Sequence, residues 1–339
     1  MGFNLLELQP HKVSRDLSGY ITYIFGEAKI GKTSLAAQAK DCLLLATERG
    51  YNALSGIYAI DITSWRDMKE AYRELKKPEV QERYKVLIVD TIDLAAKYCT
   101  KYICNQNGVA DLSELKWGKG YSLMRSEFED MFNSLTQMGY AIIFISHVKR
   151  VIDEDTGKVT VGPSLAPDKV NDIIRNMADI YGWAHYSNDE DHSGERILTI
   201  RTDSDDISCG TRFKYMKPEI PFSYDALIKA LQEAIDEEEE HNGEDAVTDE
   251  PIKPVQSDMG NFNELMAQVR TMISKIQTNV PKEEFNKTWK HTITEITDKY
   301  LGAGKKINDC TPAQTEQLSL IASDLADVIG NFDFSVYNK

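Results

Sequence analysis

An α/β fold with a mainly parallel sheet, followed by a small all-helical C-terminal domain, is what this sequence predicts. Three observations carry the prediction. The run Gly26-Glu27-Ala28-Lys29-Ile30-Gly31-Lys32-Thr33 fits the phosphate-binding pattern G-x-x-x-x-G-K-[ST] in full. Near-continuous aliphatic runs at 85–89 and 140–145 demand a sheet covered on both faces. Beyond residue 260 the apolar residues recur only at helical spacing.

The elements follow in order. Apolar, β-branched and aromatic runs predict strands at 20–25, 42–46, 57–60, 85–89, 140–145, 180–186 and 196–201. Amphipathic stretches between them predict helices at 32–40, 65–76, 92–104, 121–138, 168–177 and 223–236, the alternation expected of a parallel sheet. Residues 237–260 turn acidic and then hold Pro251, Pro254 and Gly260, which reads as an acidic flexible linker. Past it, Phe262, Leu265, Met266, Val269, Met272, Ile273 and Ile276 share one helical face, and Phe285, Trp289, Ile293 and Ile296 a second. Thr311-Pro312-Ala313-Gln314 supplies an N-cap, an N1 proline and an N3 glutamine for a third helix carrying Leu318, Ile321, Leu325 and Val328. The expected division is therefore 1–236, a linker at 237–260, and a helical bundle at 261–339.

At 339 residues with 42% hydrophobic content, the chain has ample material for a large domain and a small one. No apolar run approaches the ~20 residues of a membrane span, and the start of the chain lacks the parts of a leader peptide. Five scattered cysteines form no disulfide or zinc framework. A cytoplasmic protein with no membrane partner is expected. The net charge of −15 argues against nucleic acid at first, but ten acidic side chains fall between 233 and 250, and only −5 remains elsewhere.

The loop at 26–33 sets the chemistry. A strand delivers it, its glycines allow a tight turn that aims backbone N–H groups at phosphate oxygens, and Ser34 begins the helical run behind it. Lys32 is placed to reach the β- and γ-phosphates, and the Thr33 hydroxyl to sit on Mg²⁺. A second magnesium-directed carboxylate should end a buried strand, and Asp90 does so after Val86-Leu87-Ile88-Val89. Glu48 follows the strand 42–46 at the edge where open α/β sheets bind ligands. As a residue alone it is equally a surface glutamate and a base for the attacking water.

The loop, the apolar strand followed by Thr47-Glu48, the Val86–Thr91 segment and Phe144-Ile145-Ser146-His147-Val148-Lys149-Arg150 together resemble the RecA-type ATPase core over roughly residues 15–230. The likeness is greatest to phage-encoded RecA-core nucleotide-binding proteins, a group that includes single-strand annealing proteins of phage recombination. The resemblance implies an ATPase using ATP and Mg²⁺, with Glu48 activating water and His147 sensing the γ-phosphate where RecA itself has an amide. It implies a homo-oligomer, ring or filament, with a basic residue acting in trans, for which Arg212, Lys214 and Lys217 are candidates. It also implies single-stranded DNA as partner, with a single-strand-binding protein as a further one, in a host cytoplasm.

DNA contact is then expected from two long loops, 104–120 with Lys116, Trp117 and Lys119, and 149–169 with Lys149, Arg150 and Lys158, since an aromatic flanked by lysines suits base stacking plus phosphate contact. Two other readings stand beside this one. One is a nucleotide-gated interaction module working through its C-terminal helices, the other a helicase or packaging-type motor on the same core.

Overall fold

Alternation of side chains at period two decides how the central sheet is covered. In the computed structural model, which describes residues 10–16, 19–187, 193–252 and 262–337, the strands are β1 Val13–Ser14, β2 Thr22–Gly26, β3 Cys42–Ala46, β4 Tyr58–Asp61, β5 Val86–Asp90, β6 Ala141–Ile152, β7 Val159–Pro163, β8 Ile180–Tyr186, β9 Arg196–Thr199, β10 Gly210–Thr211, β11 Glu219–Pro221 and β12 Val247–Thr248. The helices are α1 Lys32–Ala36, α2 Trp65–Leu75, α3 Pro78–Arg83, α4 Ile92–Asn107, α5 Lys119–Gln137, α6 Asp168–Met177 and α7 Tyr224–Asn242, then α8 Phe262–Asn279, α9 Lys282–Glu284, α10 Lys290–Leu301 and α11 Thr315–Gly330.

Ten strands form one sheet. Its main order is β11-β9-β8-β2-β6-β5-β3-β4, with β10 on β8 and β7 on β6. The six strands from β8 to β4 in that order run parallel, and β9, β11, β10 and β7 pair antiparallel. Tyr23, Phe25, Leu45, Leu87, Val89 and Phe144 face one side, where α2, α4, α5 and α6 cover them. Ile24, Leu44, Ile88, Ile143 and Ile145 face the other, against α1 and α7. Strands buried on both faces need aliphatics at every position, which is what 42–46 and 86–90 supply.

The helix expected at 32–40 is shorter. It ends at Ala36, and the chain then closes through i→i+3 bonds from Gln38 N to Leu35 O and Ala39 N to Ala36 O before Asp41 takes a left-handed φ of 53°. The expected loop 149–169 is a β-ribbon for most of its length. β6 continues to Ile152, the turn closes with Asp153 N donating to Lys158 O at 2.9 Å, and β7 returns from Val159. The β-branched runs 151–152 and 159–161 outweigh the glycines and proline that suggested a loop.

The division of the chain also shifts. One unit lies within Pro10–Val255 and another within Gln256–Lys339. The acidic stretch expected to begin a flexible linker at 237 instead continues α7 to Asn242, and β12 beyond it pairs in parallel with β1. Residues 253–260 of the expected linker lie outside the described residues. Arg15 explains the order of the rest: its guanidinium meets Asp236, Glu239 and Asp249 together, Arg15 N donates to Thr248 O at 2.8 Å, and Lys12 reaches Asp245 at 3.0 Å. Acidic residues that would repel one another are gathered around one cation. Arg15→Ala should therefore release 243–252 from β1, so that limited proteolysis cuts there first while residues 20–235 resist. An unchanged cleavage pattern would show that the strand pair holds without the ion pairs.

In the second unit, α8, α10 and α11 surround Leu265, Val269, Ile296, Leu318, Ile321 and Leu325, all buried. Trp289 packs with Val280 and Ile276, its ring stacked on Phe334 at 5.5 Å. Thr311 and Gln314 form the reciprocal cap expected from sequence.

Candidate functional site

Parallel pairing brings together residues that lie far apart in the chain. Gly26 pairs in register with His147 on one side and Ala184 on the other, while Ala46 pairs with Asp90, which pairs with Ile145. The carboxyl ends of β3, β5, β6 and β2 therefore lie side by side, and Glu48, Asp90, His147 and the loop from Gly26 share one edge.

Gly26 ends β2 because nothing larger fits: a Cβ there would sit 2.3 Å from the Ala184 carbonyl oxygen. Lys29 and Gly31 adopt φ of 66° and 105°, and Gly31 makes the left-handed turn into α1 without strain. Ile30 is buried and anchors the loop on the α7 side of the sheet. Glu27, Ala28 and Lys29 stand outward, as does Ser34 at the start of α1.

Lys32 is 6% exposed, and its ammonium donates to Gly26 O at 2.8 Å and Glu27 O at 2.7 Å. Burial lowers its pKa, opposed by Asp90, Asp93, Glu27 and Glu48. These loop carbonyls thus hold the side chain in the loop, where a phosphate can take over its protons. Thr33 Oγ1 donates to Asp90 Oδ2 at 2.5 Å. Burial pushes the Asp90 carboxyl above its usual range, against the pull of the Thr33 hydroxyl. A buried carboxylate so disfavoured as an anion, beside a hydroxyl oxygen, fits a divalent cation. Mg²⁺ arriving with a nucleotide would be held by Thr33 and Asp90, and would neutralise charge on the phosphoryl oxygens.

Glu48 is positioned by three contacts. Its N–H and that of Thr47 donate to Asp90 O at 3.3 and 2.7 Å, Thr91 Oγ1 donates to Glu48 Oε1 at 3.1 Å, and His147 Nε2 stands 3.3 Å from the same oxygen. The Glu48 and His147 side chains are 39% and 38% exposed, so water reaches both. Thr47 locks the two strand ends by accepting from Thr91 N at 2.7 Å and donating to Thr91 O at 2.9 Å.

Several residues that matter here carry no sequence signal strong enough to single them out. Asp93, buried in the first turn of α4, accepts from Ser146 Oγ at 2.9 Å, from His147 N at 3.3 Å and from Ser164 Oγ. Ser164 N in turn donates to His147 O at 2.7 Å. Asp93 thus ties His147 to the segment leading from β7 to α6. Its position three residues after Asp90 is the only hint the sequence offers. Two arginines reach the loop itself: Arg150 pairs with the Glu27 carboxylate, and Arg196 Nη1 donates to Ile30 O at 3.0 Å.

The other expected residues scatter. Arg212 bonds Asp179 Oδ1 at 3.0 Å, and the second oxygen of Asp179 takes Ile21 N at 2.8 Å, at the start of β2. Arg212 thus lies at the edge of the sheet opposite the loop. Lys214 donates to the Tyr215 hydroxyl at 2.9 Å, and Lys217 to Glu233 at 2.6 Å. None of the three enters this chain's own site, because the segment that carries them follows β10, which pairs with the beginning of β8. Of the residues expected on nucleic acid, Arg150 is engaged by Glu27 and Lys158 by Asp206 at 2.6 Å. Lys149 stands exposed on the ribbon. Lys116 and Trp117 lie in the second of two tight turns that replace most of the expected loop, and Lys119 begins α5. Trp117 is 100% exposed and takes a left-handed φ of 61°, a strained state for a tryptophan.

Among the described residues, no helix is long and apolar enough to cross a membrane. A family model described as "AAA domain" matches residues 18–208, the stretch that holds the loop, Glu48, Asp90 and His147. The chain is also similar to the SPbeta prophage-derived uncharacterized protein YorG of Bacillus subtilis (strain 168), at 30% identity over 334 residues, covering 97% of this chain and 99% of that protein.

Proposed function

Because this chain belongs to the AAA domain family of P-loop ATPases, we propose that it hydrolyses ATP with Mg²⁺ on a RecA-like core and binds single-stranded DNA, acting as a homo-oligomer in phage DNA recombination. The observation that carries the reading is the Glu48–His147 pair beside Thr33 and Asp90. A carboxylate open to water stands next to a cation-binding pair, and the residue whose imidazole touches it is tied through its backbone N–H and Asp93 to Ser164. Glu48 is the base for the attacking water, and His147 is the group that senses the γ-phosphate.

Trp117 supports the DNA half of the reading. The indole is fully exposed on a backbone state that tryptophan rarely adopts, and such strained positions cluster at ligand-binding sites. Tyr121, Arg125, Asp168 and Lys169 line the hollow beside it, and Lys116 and Lys119 flank the tryptophan along the chain. A base stacked on the indole with its phosphates near these cations is the arrangement single strands favour. Pro167 and Lys169 of the same hollow lie a few residues beyond Ser164, so the Asp93 linkage gives the nucleotide site a path to this surface. Arg212 and Lys214, which face away from this chain's own loop, are the residues to test for action on a neighbouring copy.

Trp117→Ala should raise the Kd for a fluorescent oligo-dT by about tenfold, the loss of one stacked base. Anisotropy at low salt measures it. Wild-type protein that ignores the oligonucleotide, or a variant that binds it equally well, would remove DNA from the proposal and leave the ATPase. The mass of the assembled species with ATP present decides the oligomer.

A further inference from the structure

Beside the phosphate loop, on the side away from Glu48, Asp90 and His147, lies an open cleft of ≈ 530 Å³ that the phosphate chemistry does not use. We propose that this cleft, between the loop and the facing ends of β8 and β9, binds the base and ribose of the nucleotide, with Arg196 and Tyr186 as the residues that hold the base.

The direction of the triphosphate makes the first argument. The groups that act on the terminal phosphate all end β3, β5 and β6, on one side of β2. A triphosphate wrapped in the loop with its terminal phosphate there turns its nucleoside toward the other neighbour of β2, which is β8 and then β9. The cleft opens at that place, bounded by Lys29 and Ile30 of the loop, Tyr186 and Arg196 of the strands, and Phe222. Its volume falls in the range usual for small-ligand sites.

The chemistry of the walls makes the second. Tyr186 and Arg196 are paired cross-strand neighbours, so both side chains rise from the same point of the sheet. Tyr186 is 50% exposed. The Arg196 guanidinium is fixed at one end by Ile30 O at 3.0 Å and lies 6.0 Å from the Phe222 ring centre. A planar cation held still beside aromatic rings is a stacking surface for a heteroaromatic base. Gly31 permits it, since a Cβ on that residue would lie 2.8 Å from Arg196 Nη1. The glycine that lets the loop turn also admits the arginine.

The assignment rests on the nucleotide-binding reading above, and the test separates the two. Titration calorimetry with Mg²⁺ would compare ATP with inorganic tripolyphosphate, which carries the phosphates and no nucleoside. Wild-type protein should bind both, ATP the more tightly. Tyr186→Ala and Arg196→Ala should each raise the Kd for ATP by about tenfold and leave that for tripolyphosphate unchanged. Failure of the wild-type protein to bind either probe would overturn nucleotide binding itself. Unchanged ATP affinity in both variants would overturn the base site alone. Equal losses for ATP and tripolyphosphate in Arg196→Ala would make that arginine a support of the loop, and Tyr186→Ala would then decide whether the cleft holds a base.

Discussion

Glu48→Gln is expected to lower ATP turnover by roughly 10²- to 10⁴-fold, the range for loss of a positioned general base, with ATP affinity little changed. The amide keeps the size of the side chain. It can still accept from Thr91 Oγ1 and sit beside His147, so the strand ends stay locked by Thr47 and the loop is untouched. What it cannot do is take a proton from water. The prediction is read by measuring phosphate release under saturating ATP alongside the Kd. Turnover that survives in Glu48→Gln would move the base elsewhere, and Asp93, already engaged by Ser146, Ser164 and the His147 backbone, is poorly placed to replace it.

Lys32→Ala should abolish detectable turnover and weaken ATP binding by about two to four orders of magnitude, on the scale of two lost charge-assisted hydrogen bonds at ~1.5–3 kcal/mol each. The ammonium donates to Gly26 O and Glu27 O, so its removal leaves two loop carbonyls without those donors as well as the phosphates without their cation. It is also buried among Asp90, Asp93, Glu27 and Glu48, all of which favour its charge. Without it, the buried Asp90 carboxyl loses one of the interactions that hold its pKa down, and its affinity for a proton rises further. Circular dichroism should show the fold retained, since the loop is held independently by Ile30 in the core and by the Gly26 strand end. ATP binding equal to the wild type would contradict the assignment of the loop.

Lys32 is a residue that the sequence names by itself, whereas Glu48 alone is open to two readings, and the difference lies in how local each signal is. A strand, a glycine loop and a helix start are local patterns. Each is written in consecutive residues, and the structure keeps all of them with boundaries moved by a few positions. The Val86–Asp90 strand is legible for the same reason: five positions buried on both faces leave little choice but aliphatics until the chain reaches the edge. The ribbon at 141–163 was less legible because its glycines and proline sit in a run that is otherwise β-branched, and pairing between its two arms, a longer-range fact, decides the outcome.

Charged residues were harder still. Arg150 and Lys158 look free in the sequence, but each meets a carboxylate from a distant segment, Glu27 and Asp206. Arg15 turns an acidic run that composition marks as a tether into the continuation of a helix and a strand. A charge on a long side chain takes its role from whatever opposite charge folding brings within a few ångströms, and composition holds no record of that.

What the sequence determined alone is the loop at 26–33, the buried strands that flank it and Asp90 at a strand end, because each depends only on neighbours in the chain. The tertiary structure decided that Glu48 meets His147, that Asp93 links His147 to Ser164, that Arg196 lies on the loop, and that Arg212 lies at the far edge. Those follow from the register of parallel strands, where one residue of slip would move every side chain to the opposite face, and register is set by the packing of the whole sheet.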